Sequence, residues 1–188
     1  MREFRLYSFV NFYLNSISQG IQTAHAVHEM FMKYNPLYGG VSAEASRLHE
    51  WAKNHKTIIV LNGGMNSDIV SKKMFFETEG KKLTFPTPFA HFQEDEQSLG
   101  GVITCVAAVI SNDIYEAVSY DKAAVLVTSD VERAKLGDNE PLSSGGSLMH
   151  YDTSAYFYVV DGVVLNRYRR DTAEWLLISM LKSCSLAR

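Results

Sequence analysis

Two apolar runs constrain this chain most. Leu6–Leu14 (LYSFVNFYL) and Gly101–Ile110 (GVITCVAAVI) place branched and aromatic residues at nearly every position, leaving no polar face to turn toward water. A strand of that kind has to be covered on both sides, so both runs predict interior strands of a layered sheet. Neither approaches the roughly 20 apolar residues that a membrane helix needs. With 188 residues, 46% hydrophobic and 21% charged, the chain suits one domain around one core and is far from the composition of disorder.

The segments between these runs read as helices and further strands. Ser16 or Ser18 caps a helix over about Gly20–Tyr34, with Gln19 three residues after Ser16 as in a capping box. Ile21, Ala24, His25, His28 and Met32 form its apolar-spaced stripe, and Pro36 with Gly39–Gly40 ends it. A second helix fits Ala43–His55 behind Ser42. Thr57–Leu61 (TIIVL) is a short buried strand and Asn62–Gly63–Gly64 a tight turn. Ser67 caps a third helix near Asp68–Glu79, with Gly80 at its C-terminus. Leu83–Phe92 is a weaker strand that Pro86 and Pro88 confine to an edge or to irregular backbone.

Beyond Ser111 come a strand at Ala123–Thr128, a helical turn at Asp130–Leu136 and a Gly/Ser-rich loop at 137–148. Tyr156–Tyr168 reads as a hairpin about Asp161–Gly162, and a final helix is capped by Asp171 with Glu174. The two helices joining the first two strands require at least part of the sheet to be parallel. The expected fold is therefore α/β: a mixed, partly parallel sheet with helices on both faces, plus a C-terminal β-hairpin and helix. It forms a single domain, with a core over 1–118 and an extension over 119–188 packed on it.

Charge and cysteine content exclude several functions. The net charge of -3 argues against a broad electrostatic grip on nucleic acid. Arg167, Arg169 and Arg170 are the only basic cluster, more readily a solvated strand end than a phosphate contact. Cys105 and Cys184 stand far apart in apolar surroundings and read as free thiols of a reducing compartment. The charged start is followed by Asn11 and Asn15 and by no cleavage pattern, so the expected location is the cytoplasm. His25, His28 and Glu29 (HAVHE) match neither metal-binding helix motif, and no metal or cofactor is expected.

The candidate site residues gather where strands end. Gln19, Gly20, Gln22 and His25 occupy the first turns of a helix after a buried strand, where free amides and the helix dipole favour an anion. Asn62, Gly63, Gly64 and Asn66 follow another buried strand at its C-terminal end, the place where ligands collect on parallel sheets. His91 with Glu94, Asp95 and Glu96 is a weaker acid–base grouping, and His150, Tyr151 and Asp152 a weaker lid.

On these residues the chain resembles a known family. FVNFYLNSISQGIQTAHAVHEM has the order of strand, glycine loop and histidine-bearing helix of the archaeal-and-eukaryotic (second) type of peptidyl-tRNA hydrolase, with Gly20, Ala24 and His28 at matching positions. LHEWAKNHKTIIVLNGG and Gln97–Ile103 continue the likeness, which spans about residues 5–118. The resemblance implies that family's fold and a cleft for an RNA 3′ end or a nucleotide. Gln19 and Ile21 stand where the family keeps lysines, His25 where it keeps a glutamine, and Phe89–His91 where it keeps an acidic residue. The substitutions favour binding or sequestration of a nucleotide-like ligand, a class that includes viral inhibitors of host nucleotide signalling. The alternatives are a hydrolase of a tRNA ester or a phosphodiester with His25 as general base, and a protein-interaction module. No membrane partner is expected; a homodimer is allowed.

Overall fold

The computed structural model describes residues 2–35, 42–119, 122, 155–161 and 163–187. They form two compact units, Met1–Ser111 with Met180–Arg188, and Asn112–Ser179. The last residues of the chain belong to the first unit.

The first unit is built on a four-stranded sheet. Its strands are β1 (Phe4–Asn11), β2 (Ile58–Gly64), β3 (Phe89–Gln93) and β4 (Ile103–Ser111), in the order β2-β1-β4-β3. β1 and β2 are parallel, while β4 runs antiparallel to both β1 and β3. The sheet is thus mixed. The two runs that most constrain the sequence, β1 and β4, are the central pair. β3 lies at an edge directly after Pro86 and Pro88, which cannot donate to a ladder.

Alternation along β1 assigns the helices to opposite faces. Leu6, Ser8 and Val10 pair with Val109, Ala107 and Cys105. Leu6, Val10, Ala107 and Cys105 share a core with Ala26 and Met30 of α1 (Ser16–Lys33) and with Leu48 of α2 (Ala43–Glu50). Phe9, pointing the other way, meets Phe76 of α3 (Asn66–Glu77) at 6.5 Å between rings. Phe76 in turn stacks on Phe89 of β3 at 5.4 Å. Phe9 and Leu6 are fully buried, and each such side chain contributes about 1.5–3 kcal/mol by leaving water. A π-helical turn, Trp51–His55, extends α2, and Ser42 caps it through the Ala45 amide at 3.0 Å. β2 is edged by the chain's end: Asn62 and Ala187 amides bond to Ser185 and Val60 carbonyls.

Several expectations need correction. β1 ends at Asn11, not Leu14. α1 begins at Ser16 with Asn15 as its cap, whose side chain accepts from the Ser18 amide at 2.9 Å. Its buried residues are Gln19, Thr23, Ala26 and Met30; the expected stripe of Ile21, Ala24, His25, His28 and Met32 is exposed. Two buried positions are polar, so hydrophobicity pointed to the wrong face. β2 continues through Gly64, so Asn62–Gly63–Gly64 is strand and not a turn. α3 starts at Asn66, with Asp68 rather than Ser67 holding its first turn by accepting from the Met65 amide at 2.8 Å.

In the second unit, α5 (Asn112–Tyr115) follows a short helix α4 (Glu96–Leu99) of the first. β5 (Val118–Ser119), β6 (Tyr156–Val160) and β7 (Val163–Tyr168) form an antiparallel sheet. Ala155 and Phe157 pack with Val118, Val159 and Val164. The hairpin turns at Asp161, whose φ of 49° is the left-handed conformation its turn position predicts. α6 (Ala173–Ser183) is capped by Thr172, whose hydroxyl accepts from the Trp175 amide at 3.2 Å; the expected cap, Asp171, has a positive φ of 67°. The strand, helical turn and loop expected over 123–148, and His150, Tyr151 and Asp152, lie outside the described residues. No helix among those described is long and apolar enough to cross a membrane.

Candidate functional site

The site is built from a buried polar chain that ties α1 to the sheet. Thr23 donates its single hydroxyl proton to the Gln19 carbonyl at 2.8 Å, so it receives the Ser8 hydroxyl, also at 2.8 Å. Ser8 is then the acceptor for the Cys105 thiol at 3.1 Å. All three side chains are buried. Burial pushes the Cys105 thiol up to about 12, and the neighbouring Ser8 and Thr23 hydroxyls, which pull the other way, offset only part of that rise. That thiol is a neutral donor and not a nucleophile. Gln19 extends the chain by donating to the Leu14 carbonyl at 2.9 Å, which sets the entry into α1.

One turn further along, Gln22 is held from both ends. Its amide nitrogen donates to a Glu94 carboxylate oxygen at 2.8 Å, and its carbonyl accepts from the buried Thr104 hydroxyl at 2.8 Å. His25, three residues on, is exposed, and its imidazole lies flat on Phe92 of β3 with 4.3 Å between centroids and 14° between planes. The space above Gly20 is open, with nothing within 4 Å of where a Cβ would stand. Phe12 and Tyr13, in the turn before α1, are half exposed and meet edge to face at 5.9 Å. Asn15 occupies the Ser18 amide, while the Ser16 and Ile17 amides have no partner among the described residues. Asn11, fully buried at the end of β1, donates to the Ile103 carbonyl at 3.2 Å, and its side-chain oxygen has no partner among the described residues.

The structure therefore brings Gln19, Gly20, Gln22 and His25 onto one stretch of α1, and adds Thr104 and Glu94, which the reading of motifs had not placed there. Phe89–His91 lie within β3, and the residue directly following that strand is Glu94, which faces Gln22. Thr104 left no motif, since its hydroxyl is hidden in an apolar run. Glu94 was visible as an acid but not as Gln22's partner.

Asn62, Gly63, Gly64 and Asn66 sit at the end of β2 and the start of α3. The Asn62 side chain accepts from the Gly64 amide at 3.0 Å, and Lys72 donates to the Gly63 carbonyl at 2.9 Å. Gly63 is buried with Ile69 and the β1 backbone close above it, while Asn66 is exposed. His91 faces α3, where burial and then Lys73 hold its pKa below the ordinary imidazole range. Its charged surroundings are Lys73, Glu77, Lys33 and Glu29. Among the described residues no three His, Cys, Asp or Glu side chains gather as a metal site would.

No protein-family model matches the chain, and no curated protein matches its sequence. The site combines an exposed imidazole on an aromatic ring, an amide clamped between carboxylate and hydroxyl, and open helix amides.

Proposed function

We propose that this chain is a peptidyl-tRNA-hydrolase-like protein that binds a nucleotide or an RNA end along the first turns of α1, by sequestration rather than turnover. The observation that carries the reading is the exposed His25 imidazole held flat by Phe92. A ring fixed in that way offers its free face to a base, and base stacking on such platforms contributes about 1–3 kcal/mol. The unpaired Ser16 and Ile17 amides suit a phosphate at the same helix. From Ile17 to His25 the helix rises roughly 12 Å, a span that an RNA end or a polyphosphorylated nucleotide bridges. Gly20 leaves the intervening surface open.

A second reading, hydrolysis, is favoured by Glu94. A carboxylate faces α1 after all, within one helical turn of His25 through its bond to Gln22. His25 as general base beside that acid is the arrangement that ester or phosphodiester cleavage would use.

A thermal-shift screen with nucleotides, cyclic nucleotides and short RNAs tests both, because a ligand of the folded state stabilises by mass action. Stabilisation without product supports binding. Product formation that His25→Ala abolishes supports the hydrolase. No stabilisation by any of these compounds overturns the nucleotide reading and leaves a protein-interaction module.

A further inference from the structure

A concave surface lies at the C-terminal end of α1, about 25 Å along its axis from Ser16, as 17 steps of 1.5 Å require. It is a groove of about 680 Å³, within the range of roughly 300–1,000 Å³ typical of small-molecule sites. Its walls come from the end of α1, the start of α2, the end of α3 and the segment 83–89. Phe85, Pro86 and Leu83 give it an apolar side, and Lys33, Tyr34 and Lys81 a polar one.

We propose that this groove binds a small aromatic anion, with Lys33 and Tyr34 holding the anionic group and the Leu83–Pro86 side receiving the ring. Lys33 donates to the Phe89 carbonyl at 3.1 Å, and its ammonium lies 3.7 Å over the Phe89 ring. Neither partner carries a full negative charge. No carboxylate lies within ion-pair distance of Lys33 among the described residues, and the nearby Glu77 is bound to Lys73 at 2.8 Å. Lys33 as a residue is exposed, yet its ammonium, packed over Phe89, loses enough water to hold the pKa below the ordinary lysine value. Glu77 opposes this effect and Lys81, which also borders the groove, adds to it.

Tyr34 completes the anchor. Its hydroxyl oxygen accepts from the Phe89 amide at 3.3 Å, which leaves its proton to donate. Burial raises its pKa, so the group stays a donor. A partly desolvated cation beside a neutral donor recovers charge complementarity when an anion enters. A third cation, Arg2, lies 3.7 Å over Phe85 at the same wall. Glu44 and Glu77 also line the groove and balance Lys33 and Lys81 in formal charge, but Glu77 is already paired with Lys73, so the preference for an anion comes from Lys33, which has no carboxylate partner among the described residues.

Titration of the full chain with phenyl phosphate and with benzoate, followed by calorimetry and by amide chemical shifts, tests the proposal. At least one should bind saturably, with shifts centred on Tyr34, Phe85 and Phe89; which one binds distinguishes phosphate from carboxylate ligands. Phenol, inorganic phosphate and benzylamine should each bind at least tenfold more weakly. The Lys33→Gln, Lys81→Gln double variant should lose at least tenfold in affinity. The proposal is overturned if neither aromatic anion binds, if benzylamine binds as tightly, if the shifts centre elsewhere, or if the folded double variant binds like the parent. Because the site is at the far end of α1, failure here leaves the His25 reading intact.

Discussion

Gln22 and Glu94 are joined by a 2.8 Å hydrogen bond across 72 positions of sequence, and Thr104 closes the other side of the same amide. Gln22→Leu would leave the buried Thr104 hydroxyl without its acceptor. Such a loss costs about 1–3 kcal/mol, which urea denaturation should register. The ligand-induced thermal shift should disappear in the same variant. Unchanged stability would show that the clamp does not form.

Cys105 links stability to alkaline pH. Its folded pKa, about 12, lies above the ordinary 9.0 because burial disfavours the thiolate. A raised folded pKa means that its contribution is complete below pH 9 and is lost as pH rises toward 12. Unfolding free energy should fall through that window with a slope of at most about 1.4 kcal/mol per pH unit from this group. Cys105→Ala should remove that component of the slope. In the native protein at pH 8, a thiol reagent should label Cys184 and spare the buried Cys105, with both reacting after denaturation.

Gly63 is required by contact and Gly64 by conformation. A Cβ at Gly63 would collide with Ile69 Cδ1 and stand 3.0 Å from the Val10 carbonyl oxygen. Gly63→Ala should destabilise by about 1–3 kcal/mol through overpacking, seen as a lower urea midpoint. Gly64 has φ +92°, and a Cβ there would press on Asp68, which holds the start of α3. Gly64→Ala should therefore also destabilise, and a variant as stable as the parent would contradict this backbone.

Asn15 is the cap of α1. Asn15→Ala should cost about 1 kcal/mol, measured by chemical denaturation. Ser16→Ala and Ser18→Ala should cost less, since neither hydroxyl caps the helix. The reverse order would restore the serines to the role their spacing predicts.

The sheet was legible because continuous apolar runs admit few solutions. The runs Leu6–Leu14 and Gly101–Ile110 read as interior strands and contain most of the central pair, Phe4–Asn11 and Ile103–Ser111, while Pro86 and Pro88 lie in irregular backbone just before an edge strand. The hairpin about Asp161 was legible from a turn pair that tolerates positive φ. The first turns of α1 read as a candidate site from strand-then-helix order, but which face of the helix is buried was not legible. Gln19 and Thr23 look like surface residues until their partners are known, and Ile21 and Met32 look like core.

By itself, the sequence determined that a mixed α/β layer must form, because branched and aromatic runs cannot meet water on either face. Tertiary structure alone decided which face of α1 is buried, that Glu94 meets Gln22, and that Lys33 and Tyr34 border a groove. Those relationships join residues from distant segments, and a buried polar group is affordable only where a specific partner stands opposite. Local periodicity cannot express that condition, because it lies in the pairing across the fold.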